Sequence, residues 1–216
     1  MSLSRKVRKE LEECRKAAEE GDAEAQNALG NAYAGTGTKS DEEKAVEWFL
    51  RAAEQGHVEA QSSLGIAYAL GCGIQCDPQE AEKWCRKAAN SGDACAQYNL
   101  GLFYSSGYGV DLDKGEAVWW YRKAAEQGDP KAQCNLGLLY SAGEGVDQDY
   151  EEAVRWYRKA AEQGLPNALH CLALAYTRGK GVPEDLEESQ KWWGKLSELQ
   201  GHADGTVDMF VPGKSM

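Results

Sequence analysis

The feature that most constrains this chain is a short segment that returns at a fixed interval. AAEEG begins at Ala17, and its relatives AAEQG, AANSG, AAEQG and AAEQG begin at Ala52, Ala88, Ala124 and Ala160, in steps of 35, 36, 36 and 36 residues. Such a period marks a repeat array: each unit is one supersecondary element that cannot bury its apolar face alone and does so against its neighbours. A length of 216 residues would suit a globular domain equally well, so the periodicity decides the matter. The one short step falls between Tyr33 and Gly35, where later units have an additional residue before the loop glycine, so the deletion is expected at a helix end.

Each unit contains two stretches of helical periodicity. In the third, Gln97, Leu100, Gly101 and Tyr104 fall on one face of a helix A, and Ala117, Trp120, Tyr121, Ala124 and Ala125 on one face of a helix B. The loop between them, Gly107 to Val110, has glycines able to take positive φ and end a helix, and Asp113 offers the next N-cap. Gly128 closes helix B in the same way. Gly30, Gly65, Gly101 and Gly137 lie inside helix A, where glycine costs roughly 1 kcal/mol against alanine, so a neighbouring helix is expected to approach closely there. Trp48, Trp84, Trp120, Trp156 and Trp192 recur on the helix B stripe and are assigned to the core. The predicted fold is an all-α solenoid of about five helix pairs with an N-terminal capping helix. Residues 1–3 read as an expression remnant, 4–20 as the cap, 21–199 as the solenoid and 200–216 as a tail outside the repeat. In the last unit Leu169, Ala173, Ser189 and Gly194 replace the usual Gln, Gly, Ala and Arg, and Glu13 stands where a Trp belongs, as expected of end units that face water on one side. The array is therefore expected to be complete.

Lys and Arg number 24 against 35 Asp and Glu, a net charge of -11, which opposes binding to nucleic acid or an anionic membrane surface and favours a partner with a basic surface. No run approaches the roughly 18 apolar residues a membrane helix needs, so no membrane insertion is expected. The opening MSLSRKVRKELEE has no apolar stretch after its basic residues. Seven cysteines, odd in number and irregular in spacing, argue against a disulfide framework. A cytoplasmic protein is expected, with a secreted or periplasmic mature form as the alternative if Met1–Leu3 replaces a leader.

No catalytic constellation, cofactor motif or metal set is expected. His57, His170 and His202 are far apart and belong to no ligating pattern, Cys72 and Cys76 share a loop without a second ligand pair, and Gly213-Lys214-Ser215 lacks the rest of a phosphate-binding loop. Asp111, Asp113 and Glu116 imitate part of a calcium loop but occupy the place of a helix start.

Units such as DPKAQCNLGLLYSAGEGVDQDYEEAVRWYRKAAEQG, with A-Q-x-x-L-G-x-x-Y, G-x-G-V and A-x-x-W-Y-x-K-A-A-x-x-G in order, resemble the Sel1-like repeat, a relative of the tetratricopeptide repeat. The resemblance covers residues 17 to about 199. It implies a right-handed superhelix with helix A on the concave side, an adaptor role in protein complexes, and no chemistry. One secreted branch of the family carries a disulfide across adjacent helices in each repeat and includes members that recognise β-lactams. A weak hydrolase or small-ligand binder of that kind is the alternative function, but the cysteines here do not keep that branch's spacing, the nearest cross-helix pair being Cys85 and Cys95.

On helix A, the face opposite the core stripe carries a row of Asn31, Ile66, Leu102, Leu138 and Leu174, beside a second with Ser63, Asn99, Asn135 and Cys171 and a third with Lys131. An apolar seam beside amides able to pair with a peptide backbone suits an extended or helical segment. Ser63, Ile66, Asn99, Leu102, Lys131, Asn135, Leu138 and Leu174 are therefore the candidate groove for a protein or peptide partner. Trp119, where other units have Glu47, Lys83, Arg155 and Lys191, is a candidate contact on the convex side and for a homodimer. Met209, Phe210 and Val211 in the tail are candidate anchors for docking into a groove.

Overall fold

The computed structural model describes the backbone of residues 5–202 and the side chains of 12–200. Among the described residues there are eleven α-helices and no strand. The first, α1 (Arg5–Glu19), packs on α2, and five antiparallel A/B pairs follow: α2 (Ala23–Ala34) with α3 (Lys39–Glu54), α4 (Val58–Leu70) with α5 (Pro78–Asn90), α6 (Ala94–Ser106) with α7 (Lys114–Glu126), α8 (Pro130–Ala142) with α9 (Tyr150–Glu162), and α10 (Pro166–Arg178) with α11 (Leu186–His202). The solenoid is thus an all-α helical repeat. The first three residues of the expected tail continue α11, and Met209, Phe210 and Val211 lie outside the described residues.

Local chemistry fixes the helix ends. Asp22, Asp93 and Asp129 each accept an N–H of the first turn of an A helix, and His57 does the same through Nδ1 at 3.3 Å from the Ala60 nitrogen. At Leu165 the backbone is the same but no side chain caps α10. Later A helices end on a left-handed glycine, such as Gly107 at φ 73°. In the first unit, which has one residue fewer before the loop glycine, α2 is one residue shorter and its C-cap, Gly35, is right-handed at φ -72°. The second loop glycine has a further reason to be glycine. At Gly109 (φ 72°) and Gly145 (φ 71°) a Cβ would collide with the backbone of Pro78 and of Lys114, the first residues of the preceding B helix.

The glycines inside the A helices are seats for side chains of the paired B helix. A Cβ on Gly30 would stand 2.5 Å from the Phe49 ring and one on Gly137 2.6 Å from Tyr157; Gly101 meets Tyr121 in the same way. In the second pair the seated residue is Cys85, whose Sγ would stand 2.5 Å from that Cβ; helix B backbone also comes near, the Cys85 nitrogen at 3.0 Å, as the Ala153 carbonyl does to Gly137 at 3.1 Å. The expected close approach is therefore a seated side chain in all four pairs, with helix B backbone also near in the second and fourth. Seated Tyr121, Tyr157, Phe49 and Cys85 are all buried, which offsets the poor helix propensity of glycine through packing.

A glutamine ladder joins successive pairs. Gln61, Gln97 and Gln133 are buried, and each donates Nε2 to a carbonyl of the preceding B helix, Ala53, Ala89 and Ala125, at 3.1 Å. The free oxygens of Gln97 and Gln133 accept from Gln127 and Gln163, at 2.7 and 2.9 Å. Both ends of these buried amides are thus satisfied, as burial demands. Of the five tryptophans assigned to the core, Trp84, Trp120, Trp156 and Trp192 are buried, while Trp48 is half-buried with Arg51 over its ring. Its position in the first complete pair leaves one side without the neighbour that covers the others.

Candidate functional site

Consecutive A helices α2, α4, α6 and α8 touch one another, whereas consecutive B helices do not approach to the same degree, so the A helices line the inner side of the curve. The predicted seam runs along that side. Ile66, Leu102 and Leu174 are half-buried and Leu138 is 44% exposed, giving an apolar line open to solvent. Lys131 is exposed at its margin.

The neighbouring polar row is less available than its composition suggests. Asn135 lies against the phenols of Tyr98 and Tyr121, and its hydrogen bonding to them offsets part of the upward push that burial gives both, Tyr98 reaching about 12. Asn99 makes only a weak contact, Nδ2 lying 3.7 Å from Cys95 Sγ, and Ser63 is half-buried. Cys171, at the next place in the row, receives a hydrogen bond from the Cys134 thiol of α8, which holds Cys171 below the usual thiol range and, with burial, raises Cys134. The sequence gives the two cysteines no obvious relation, because their spacing of 37 is one more than the repeat.

Two clefts open along the seam. The first, about 300 Å³, lies between α8, α9 and α10, floored by Leu138, Ala153, Val154, Tyr157, Leu174 and Ala175 and edged by Arg178 and Lys180. The second, about 280 Å³, lies between α2, α3 and α4 and is lined by Asn31, Val46, Phe49, Ser63, Ile66 and Cys72. They are the same place in the repeat, three units apart: Asn31 answers to Leu138, Val46 to Val154, Phe49 to Tyr157, Ile66 to Leu174 and Cys72 to Lys180. In the units between, the mouth is bridged from within. Lys114 pairs with Glu144 at 3.0 Å, and Tyr108 donates its hydroxyl to the Ala69 carbonyl at 2.7 Å. Ile66, Leu138 and Leu174 were found from the seam alone, but the clefts also need Val154, Tyr157 and the loop cation Lys180, contributed by a helix B and a loop that a helical wheel of helix A does not show.

The candidate on the other side, Trp119, is 46% exposed, stacks edge-on against Trp120 with ring centres 4.3 Å apart, and carries the Lys123 ammonium over its face at 3.9 Å. His57 bonds Glu24 at 3.1 Å and His170 stacks on Trp193. Cys72 and Cys76 are free and exposed. Among the described residues no three His, Cys, Asp or Glu are placed to hold a metal ion, and no helix is long and apolar enough to cross a membrane.

Comparison with known families agrees with this architecture repeat by repeat. The model of the Sel1 repeat matches five times, at residues 23–57, 58–93, 96–129, 130–165 and 166–200. The chain belongs to the Sel1 repeat family. It is similar to a protective antigen of uropathogenic Escherichia coli with an SLR fold, 43% identical with a TM-score of 0.83 over 88% of this chain and 41% of that one. It is also similar to a Sel1 repeat protein from Oxalobacter formigenes, at 37% identity and a TM-score of 0.77, covering 87% of this chain and 76% of that. An immunity protein from Pseudomonas aeruginosa, 20% identical with a TM-score of 0.59 over 94% of this chain and 77% of its own, shares the fold. The chain thus spans about two fifths of the length of the E. coli antigen. No curated protein matches it. Sel1 repeats generally form helical scaffolds for protein interaction and are typically non-catalytic.

Proposed function

We propose that this Sel1 repeat protein is a non-catalytic scaffold that holds a protein or peptide segment along the inner surface of its A helices, through Ser63, Ile66, Asn99, Leu102, Lys131, Asn135, Leu138 and Leu174. The observation that carries this is the solvent-open apolar line with a cleft near each end, a form suited to alternate anchors of an extended segment or the apolar face of a helix. Asn135, half-buried beside the phenols of Tyr98 and Tyr121, stands in the same row as Asn99.

The test is affinity capture from the source cell's lysate with the wild type, a Leu102→Asp, Leu138→Asp variant and Trp119→Glu, each shown to fold by circular dichroism. The scaffold reading expects a protein retained by the wild type and by Trp119→Glu and lost by the double variant. Retention that survives the double variant and is lost with Trp119→Glu moves the binding face to the convex side.

A further inference from the structure

The two repeat-equivalent clefts share an apolar floor but differ at the mouth. At the α8–α9–α10 cleft the edge carries Arg178 and Lys180, and neither makes an ion pair with any described carboxylate. In a chain of net charge -11, two exposed cations on one cleft edge, without a described carboxylate on either, form a local positive mouth open to an anionic group. The repeat itself does not require them. The places answering to Arg178 are Leu70, Ser106 and Ala142, and those answering to Lys180 are Cys72, Tyr108 and Glu144. Lys180 is also positioned: its ammonium lies 4.9 Å from the centre of the Tyr150 ring and 3.5 Å from the phenol oxygen. That phenol is in turn held by Gln148 Nε2 at 3.0 Å, and the same amide donates to the Ser141 carbonyl on α8 at 2.9 Å. At the N-terminal cleft Glu42 replaces Tyr150 and Cys72 replaces Lys180, so the same floor there has an acidic mouth.

We propose that the α8–α9–α10 cleft is the seat of an acidic and apolar peptide segment of the partner, with one large aliphatic or aromatic side chain against Leu138, Val154 and Leu174 and a neighbouring side-chain carboxylate on Arg178 and Lys180. This rests on the inner-face reading above and gives it a chemistry and a polarity. The local +2 at this mouth selects acid where the net charge of the whole chain would select base. The apolar floor supplies attachment, while the cations supply orientation and rejection of basic segments, as rim charges do. The N-terminal cleft is a built-in comparison, since its Glu42 repels a carboxylate.

The probe is a phage-displayed library of random dodecapeptides selected on the full chain. The enriched peptides are then made with fluorescein and titrated by anisotropy against the wild type, Arg178→Glu/Lys180→Glu, and Leu138→Asp/Leu174→Asp. Both replaced cations are on the exposed edge, so the charge-reversed chain keeps its fold. The proposal expects enriched peptides that pair Leu, Met or Phe with Asp or Glu. It expects binding to weaken at least about tenfold on charge reversal, from lost pairs plus repulsion, and to weaken with salt. No enrichment, enrichment without acidic residues, or affinity untouched by charge reversal overturns it. If affinity survives charge reversal but is lost with Leu138→Asp/Leu174→Asp, the scaffold reading stands and the acidic specificity alone falls.

Discussion

Replacing Gly101 with alanine isolates the packing that sets the spacing between paired helices. A Cβ there runs into the Tyr121 ring, which is 2% exposed and cannot turn into solvent. Its hydroxyl lies 3.3 Å from Ser105 Oγ and also meets the Asn135 amide. Overfilling a tight core costs about 1–3 kcal/mol, and shifting the ring puts at risk hydrogen bonds worth about 1 kcal/mol each. Alanine regains about 1 kcal/mol of helix propensity, so the net expectation is a destabilisation of about 2 kcal/mol. Gly194, in the interior of α11, has nothing within 4 Å of its would-be Cβ, and Gly194→Ala should stabilise by about 0.5–1 kcal/mol. Both changes restrict the unfolded chain alike, so their difference reports the folded state. Urea unfolding followed by circular dichroism measures both. In a Tyr121→Ala background the ring is gone and Gly101→Ala should change sign and stabilise, which a double-mutant cycle detects. Gly101→Ala as stabilising as Gly194→Ala in the wild-type background would refute the account of the glycine row.

The glutamine ladder has one missing rung. Ser91 stands where other units carry Gln55, Gln127 and Gln163, on the same backbone conformation as Gln127, so Ser91→Gln should reach the Gln61 oxygen and raise stability by about 0.5–1 kcal/mol; an unchanged urea midpoint would deny that the ladder stabilises. Thiol chemistry should separate the cysteines. Burial pushes Cys85 up to about 12, so iodoacetamide at pH 8 should modify it only on unfolding, whereas Cys171 forms its thiolate below the usual range because Cys134 donates to it. Lower affinity for the proton means more thiolate at a given pH, so the rate profile of Cys171 should move to higher pH in Cys134→Ala; mass spectrometry of the alkylated peptides finds an unmoved profile if the thiols are not bonded.

Much of the fold was legible because the repeat writes it several times over: the Ala-Ala-x-x-Gly period, the glycines at helix ends and the Trp row each point to the same helix pair. What the helix A glycines receive was less legible, since a small residue says only that something comes close, and whether a ring or a thiol is seated there depends on the paired position, Tyr121 in one unit and Cys85 in another. The seam of Ile66, Leu102, Leu138 and Leu174 could be read from one helix at a time. The clefts could not, because they form where three helices meet.

The most direct test of the inner-face scaffold is a methyl NMR titration of the full chain, with Ile, Leu and Val methyls labelled, against the partner recovered by affinity capture. The account predicts that the methyls of Ile66, Leu102, Leu138 and Leu174 shift or broaden on binding while those of the exposed Leu112 and Leu186 stay in place. Movement confined to methyls outside the A-helix seam, with those four unmoved, would contradict it.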